Sequence, residues 1–201
     1  MNIDLTGKTA LVTGSTAGIG YAIANGLAAS GAEVAVNGRG QDTVDAAVAR
    51  LKQGVSGAKV RGIAADVSTA EGCAALLKAL PDVDILINNA GIFEPKNFFK
   101  IPDEDWSRFF EVNVMSGVRL SRAYLAGMLK RNWGRIVFIS SESGLNIPTE
   151  MITHVTGGKA LPTEIADQII DRTDGVPLFI EELTKSVIES GLVAEASFEA
   201  I

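Results

Sequence analysis

The stretch Thr13-Gly14-Ser15-Thr16-Ala17-Gly18-Ile19-Gly20 constrains this chain more than any other. It follows an apolar run, Thr9-Ala10-Leu11-Val12, and opens a helical pattern beginning Tyr21-Ala22-Ile23-Ala24. A strand, a glycine turn and a helix in that order can hold a pyrophosphate. Glycine lets backbone approach phosphate oxygens, and the helix N-terminus offers unpaired N–H groups and the positive end of its dipole. A three-glycine match alone says little; the strand before it and the helix after it give it a setting.

Apolar runs and helical patterns alternate over the first three-quarters of the chain. Strands are predicted at 9–12, 33–37, 59–64, 84–88 and 135–140, and helices at 18–30, 42–53, 69–80 and 102–131. That alternation implies an α/β fold: a doubly wound, Rossmann-type parallel sheet with helices on both faces. In 102–131, Trp106, Phe109, Phe110, Val112, Val114, Leu120, Tyr124, Leu125 and Met128 recur largely at three- or four-residue spacing. Such a stripe faces a core, and here also suits a subunit contact. The texture changes after residue 153. Residues 154–162 read as a loop, and 163–172 and 178–190 as short amphipathic helices, with Gly191 as a C-cap. The predicted domains are therefore 1–152, a nucleotide-binding sheet that stops at its fifth strand, and 153–201, a helical tail.

A net charge of −6 and the lack of a Lys/Arg run argue against a nucleic-acid partner. No apolar run reaches membrane-spanning length, and no basic segment leads into an apolar core at the start, so neither membrane nor signal peptide is expected. The single cysteine, Cys73, excludes an internal disulfide and fits a reducing cytoplasm; it reads as a small residue on a helix. With His154 the sole histidine, no His-based metal site is expected.

Further motifs join the glycine turn in order: Asp66-Val67, Asn88-Asn89-Ala90-Gly91, Asn113, Gly134-Arg135-Ile136-Val137 and Ser140-Ser141-Glu142-Ser143-Gly144. With these, residues 5–152 resemble the short-chain dehydrogenase/reductase family. The resemblance implies cofactor contacts from Gly14, Ser15, Gly18, Ile19 and Gly20, from Asp66 and Val67 beside the adenine, and from Asn89, Ala90 and Gly91. It gives Ser141 a hydrogen bond to the substrate oxygen and Asn113 a water in the proton relay. Two plainer readings stand beside these: Ser141 as a turn serine, and Asn113 as an amide tying helix backbone to a neighbouring strand. The end of the second strand reads Asn37-Gly38-Arg39. An acidic residue there would accept the ribose hydroxyls of NAD; here no carboxylate repels a 2′-phosphate and Arg39 can pair with one. NADP is favoured over NAD, with Arg39 as an ordinary solvated residue the alternative.

The family's acid–base pair, Tyr-x-x-x-Lys about thirteen residues after the serine, has no match. The two tyrosines, Tyr21 and Tyr124, both precede Ser141, and neither has a lysine four residues on. His154 and Gly158 stand at the expected place, with Lys159 beyond them. Residues 154–193, above all Asp174-Gly-Val-Pro-Leu-Phe-Ile-Glu-Glu-Leu183, instead resemble the helical region of predicted ATPases associated with adenylate-cyclase domains. A generic helical hairpin is the plainer reading. Three functions follow: an NADP-dependent oxidoreductase acting on a small carbonyl/alcohol pair; a catalytically defective, truncated or chimeric dinucleotide-binding protein; or an ATPase-related module, supported by the tail alone. Loss of the strand and helix that would follow predicts a homo-oligomer, joined through 102–131 or the tail.

Overall fold

The computed structural model describes residues 3–94, 96–141, 164–165 and 168–169. Two compact units divide the chain, Met1–Ile139 and Ser140–Ile201. The first contains strands β1 (Thr9–Val12), β2 (Glu33–Gly38), β3 (Val60–Ala64), β4 (Ile85–Asn88) and β5 (Arg135–Phe138). Its helices are α1 (Gly18–Ala29), α2 (Gln41–Gly54), α3 (Ala70–Ala79), α4 (Asp103–Phe110) and α5 (Ser116–Lys130). The sheet runs β3-β2-β1-β4-β5 and every pairing is parallel.

Residues of β1 to β4 feed two different cores, alternating as the two-residue period of a strand requires. Ala10, Val12, Val34, Val36, Ile85 and Ile87 pack with Ala24 and Ala28 of α1 and Ala47 and Leu51 of α2. Leu11, Ala35, Ile63 and Leu86 pack with Cys73 and Leu76 of α3 and Leu120, Tyr124 and Met128 of α5. Helices therefore cover both faces, and the strands between them must be apolar throughout. This is the doubly wound sheet expected.

Two elements differ from expectation. The stretch 102–131 is not one α-helix: α4 and α5 are joined by a π-helical segment, Glu111–Met115. Its apolar stripe also divides. Leu120, Tyr124 and Met128 are buried, whereas Trp106, Phe110, Val114 and Leu125 are exposed. Strand β5 ends at Phe138, two residues short of the predicted 140. In the second unit, residues 164–165 and 168–169 are helical, inside the predicted 163–172 helix. The 178–190 helix, His154 and Lys159 lie outside the described residues. No described helix is long and apolar enough to cross a membrane.

Candidate functional site

Between β1 and β4 the strand order reverses, and loops leaving the two C-terminal ends diverge to open a crevice. Thr13, first after β1, joins those ends. Its buried hydroxyl donates to the Ile87 carbonyl (3.3 Å) and accepts the N–H groups of Asn89 and Ala90 (3.0 Å each). Asn89 answers from the β4 side, its amide nitrogen donating to the Thr13 and Gly14 carbonyls at 2.9 and 3.0 Å. The turn and the 88–91 motif thus form one hydrogen-bonded unit.

The glycines of the turn differ in what each makes possible. Gly14 has φ +59°, and a Cβ there would stand 3.0 Å from the Ala90 Cα. At Gly20 a Cβ would lie 2.5 Å from the Gly14 carbonyl oxygen and collide with the Asn89 amide, so helix α1 packs against the turn only because that position is bare. Gly18, at φ +55°, borders open space, where backbone is presented to anything that enters. The start of α1 has no side-chain cap and no acidic residue in its first turn. Helix α3 is the opposite: Thr69 caps it by accepting the Gly72 N–H at 2.9 Å, and Glu71 lies in its first turn. An uncapped N-terminus behind a glycine turn suits an anion, because a ligand can take the N–H groups that a side chain has left.

Ser15 and Ile19 take different positions. Ser15 is fully buried; its hydroxyl donates to the Val12 carbonyl (2.6 Å) and accepts the Asn37 N–H (3.0 Å), and its own N–H donates to the Asn37 carbonyl (2.9 Å). It fastens the turn to the end of β2. Ile19 is exposed on the first turn of α1. Asn37 is buried too, its amide donating to the Ile63 and Ala65 carbonyls at 3.1 Å each, so it anchors the end of β3 in turn.

A cleft of about 210 Å³ lies at this edge, lined among others by Gly14, Thr16, Arg39, Asp66, Ala90 and Val112. Arg39 is exposed on its rim and makes no ion pair or hydrogen bond among the described residues. Asp66 is exposed, its carboxylate accepting both the N–H (3.0 Å) and the hydroxyl (2.7 Å) of Ser68; Val67 beside it is buried. A larger cleft, about 360 Å³, lies beside Lys8, Ala32, Glu33 and Lys59, at the strands' opposite ends. It lies at the N-terminal ends of the strands, away from the start of α1, so sheet topology favours the smaller cleft at their C-terminal ends.

Asn113 lies in the π segment. Its Oδ1 accepts the Ile92 N–H at 2.7 Å, and its Nδ2 donates to the Ile92 carbonyl at 3.0 Å. The amide thereby pins the chain just beyond Gly91, which is exposed and whose Cβ, if it had one, would stand 3.3 Å from that same Oδ1. The tie to neighbouring backbone weighed from the sequence is therefore present, running to the loop after β4 rather than to a strand. Ser141 is exposed and non-helical, in the second unit.

Comparison with known proteins agrees with this arrangement. The model of the short chain dehydrogenase family matches residues 8–161. The uncharacterized oxidoreductase YvaG of Bacillus subtilis is 47% identical over 175 residues, covering 87% of this chain and 66% of its own length. The 3-oxoacyl-[acyl-carrier-protein] reductase FabG of Vibrio cholerae is 36% identical, covering 92% of this chain and 79% of its own. The L-sorbose reductase of Gluconobacter frateurii, crystallised with NADPH and L-sorbose, superposes with a TM-score of 0.68 at 36% identity, over 72% of this chain and 56% of its own. This chain belongs to the short-chain dehydrogenase family. It spans 66% and 57% of the two Bacillus subtilis oxidoreductases it matches, YvaG and YvrD.

The chain's two tyrosines both lie in described helices, α1 and α5. Tyr124 is buried in the core, its hydroxyl donating to the Leu80 carbonyl at 2.8 Å, and burial pushes its phenol well above the ordinary tyrosine range. Tyr21 lies on α1 beneath the Arg50 guanidinium, 3.7 Å from the ring centroid. Two residues that hold the site together, Thr13 and Asn37, carried no assigned role from the sequence. The available signal was their place: each is a small polar residue at the C-terminal end of a strand that is otherwise apolar.

Proposed function

We propose that this chain is a nicotinamide-dinucleotide oxidoreductase of the short-chain type that interconverts a small-molecule carbonyl and alcohol. The observation that carries the reading is the crevice between β1 and β4, where the bare backbone of Gly14 and Gly18 meets the uncapped start of α1. That cradle fits a pyrophosphate. Asp66 and Val67 line the adenine side, and Asn89, Ala90 and Gly91 form the opposite wall, while Ser15 fixes the turn from beneath. Bound there, the dinucleotide supplies the hydride exchanged with the substrate carbon. Asn113 holds a water of the proton relay and Ser141 hydrogen-bonds the substrate oxygen, roles supported by family resemblance. The relatives' names, reductases and a D-beta-hydroxybutyrate dehydrogenase among them, support the carbonyl/alcohol class.

NADP is the proposed form of the cofactor. Arg39 stands uncommitted on the cleft rim with no carboxylate at the end of β2, so its planar fork is available to a 2′-phosphate. Fluorescence titration should show NADPH binding more tightly than NADH, with Arg39→Asp weakening NADPH and narrowing the gap. An unchanged ratio would remove Arg39 from the cofactor assignment.

A second reading is favoured by the tyrosines. With Tyr124 in the core and Tyr21 under Arg50, the chain binds dinucleotide yet reduces carbonyls feebly, because general acid–base help is typically worth about 10²–10⁴ in rate. A panel of ketones with NADPH decides between the two: binding without turnover supports the second, and robust turnover abolished by His154→Ala makes His154 the acid. The exposed apolar residues of α5, Leu125 and Leu129, support self-association through that helix. Leu125→Glu with Leu129→Glu should lower the mass measured by light scattering.

A further inference from the structure

The cleft has two walls from different parts of the chain. One is 66–68, between β3 and α3; the other includes Val112 in the π segment. Three consecutive carbonyls on the first wall are each held. Asp66 O accepts the N–H and hydroxyl of Thr69 at 3.2 and 3.1 Å. Val67 O accepts the Cys73 thiol at 3.2 Å. Both partners come from the loop itself or the helix it enters. The third, Ser68 O, accepts from Arg119 Nη1 at 3.4 Å, and Arg119 belongs to α5. The other arm of the same guanidinium pairs with Glu111 at 2.6 Å, and Glu111 is the first residue of the π segment. The Arg119 side chain is 19% exposed, while that of Glu111 is 44% exposed.

We propose that Arg119 is a positioning residue for the adenine side of the dinucleotide site, a strut that fixes the wall at 66–68 against the π segment carrying Asn113. The inference rests on the dinucleotide reading given above. Arginine suits the task because its rigid fork donates in two directions at once, which an ammonium on a flexible stem does poorly. Without the strut, the 66–68 turn keeps its local bonds but loses the link that sets its distance from the opposite wall. Arg119 touches no ligand atom in this scheme; it acts through Ser68 and Glu111.

The test is affinity for ADP-ribose, by calorimetry, and for NADPH, by nicotinamide fluorescence, each beside the melting temperature. Arg119→Met keeps the apolar stem and should weaken both ligands by a similar factor, roughly five- to tenfold, as expected for losing about one net hydrogen bond. Arg119→Lys keeps the charge opposite Glu111 and should restore the melting temperature more fully than the affinity. If Arg119→Met does not fold, Glu111→Gln decides, with an expected loss of about threefold in ADP-ribose affinity. Folded variants that bind ADP-ribose and NADPH within twofold of wild type would overturn the strut while leaving the dinucleotide site standing. A wild-type chain that binds neither ligand would overturn the site itself.

Discussion

Two loops leave the same edge of the sheet, after β1 and after β4, and they are held by different physics. The 13–20 turn is fastened by neutral hydrogen bonds from Thr13, Ser15 and Asn89, those of Ser15 buried and those joining Thr13 to Asn89 and Ala90 half-buried. The loop at 92–101 is exposed. Asn113 grips its first residue, and beyond that Glu94 and Lys96 reach Asp105 and Arg108 of α4 through surface ion pairs. Phe93 is 89% and Phe99 92% exposed on it. Buried neutral bonds are costly to break and indifferent to salt, whereas exposed ion pairs contribute little and are screened. The turn that would meet phosphate is thus held by bonds that salt leaves intact, and the loop beside it by ion pairs that salt weakens.

Substitutions can break that contrast. The largest effect is expected at Gly20→Val, where new carbon atoms meet the Gly14 carbonyl and Asn89. Overpacking of this kind typically costs about 1–3 kcal/mol, and dinucleotide binding should be lost with it. Thr13→Val, nearly the same shape, leaves the Asn89 and Ala90 N–H groups without their acceptor and should cost ~1–3 kcal/mol. Both are read from urea denaturation midpoints. In the other loop, Arg108→Gln should shift the midpoint far less, and less still in high salt. Equal costs for Thr13→Val and Arg108→Gln would erase the distinction between the loops.

The smallest effect concerns pH. Lys96 first, then Arg108, holds the Glu94 carboxyl below its ordinary value of 4.5, and Lys96 does the same to Asp105. A lowered carboxylate stabilises the fold fully above its unfolded value and loses that contribution as pH falls through the folded one. The 92–101 loop should therefore loosen below about pH 4.5 while the 13–20 turn, which has no titrating partner, stays protected. Amide hydrogen exchange compares the Thr13–Gly20 and Ile92–Ile101 N–H groups directly; parallel loosening would contradict the ion-pair account.

How far the sequence revealed this can be judged at particular residues. Apolar runs located all five strands because a sheet covered on both faces needs apolar residues throughout. The same rule hid a difference. Leu11 and Val12 of β1 are fully buried, while Val137 and Phe138 of β5 are 41% and 53% exposed. Both strands read as apolar; position in the sheet separates them. β1 pairs on both edges, and among the described residues no strand pairs with the outer edge of β5. In the candidate site the glycines were legible because their missing side chains are the chemistry. Ser15 and Asn37 were harder to read, since their polar atoms bond backbone brought close only by the fold.

The π segment Glu111–Met115 carries a consequence for helical phase. An α-helix advances about 100° per residue, so one residue taken up in a wider turn rotates everything after it by that amount relative to what precedes it. The seam of α5 that meets the sheet, Leu120, Tyr124 and Met128, is therefore set by the wide turn and not by α4. Deleting one residue from 111–115 would offer the chain a regular helix, but with either that seam or the Asn113 amide facing the wrong way. A single residue's worth of winding keeps the helix's two duties, filling a core and gripping a loop, from competing for the same side.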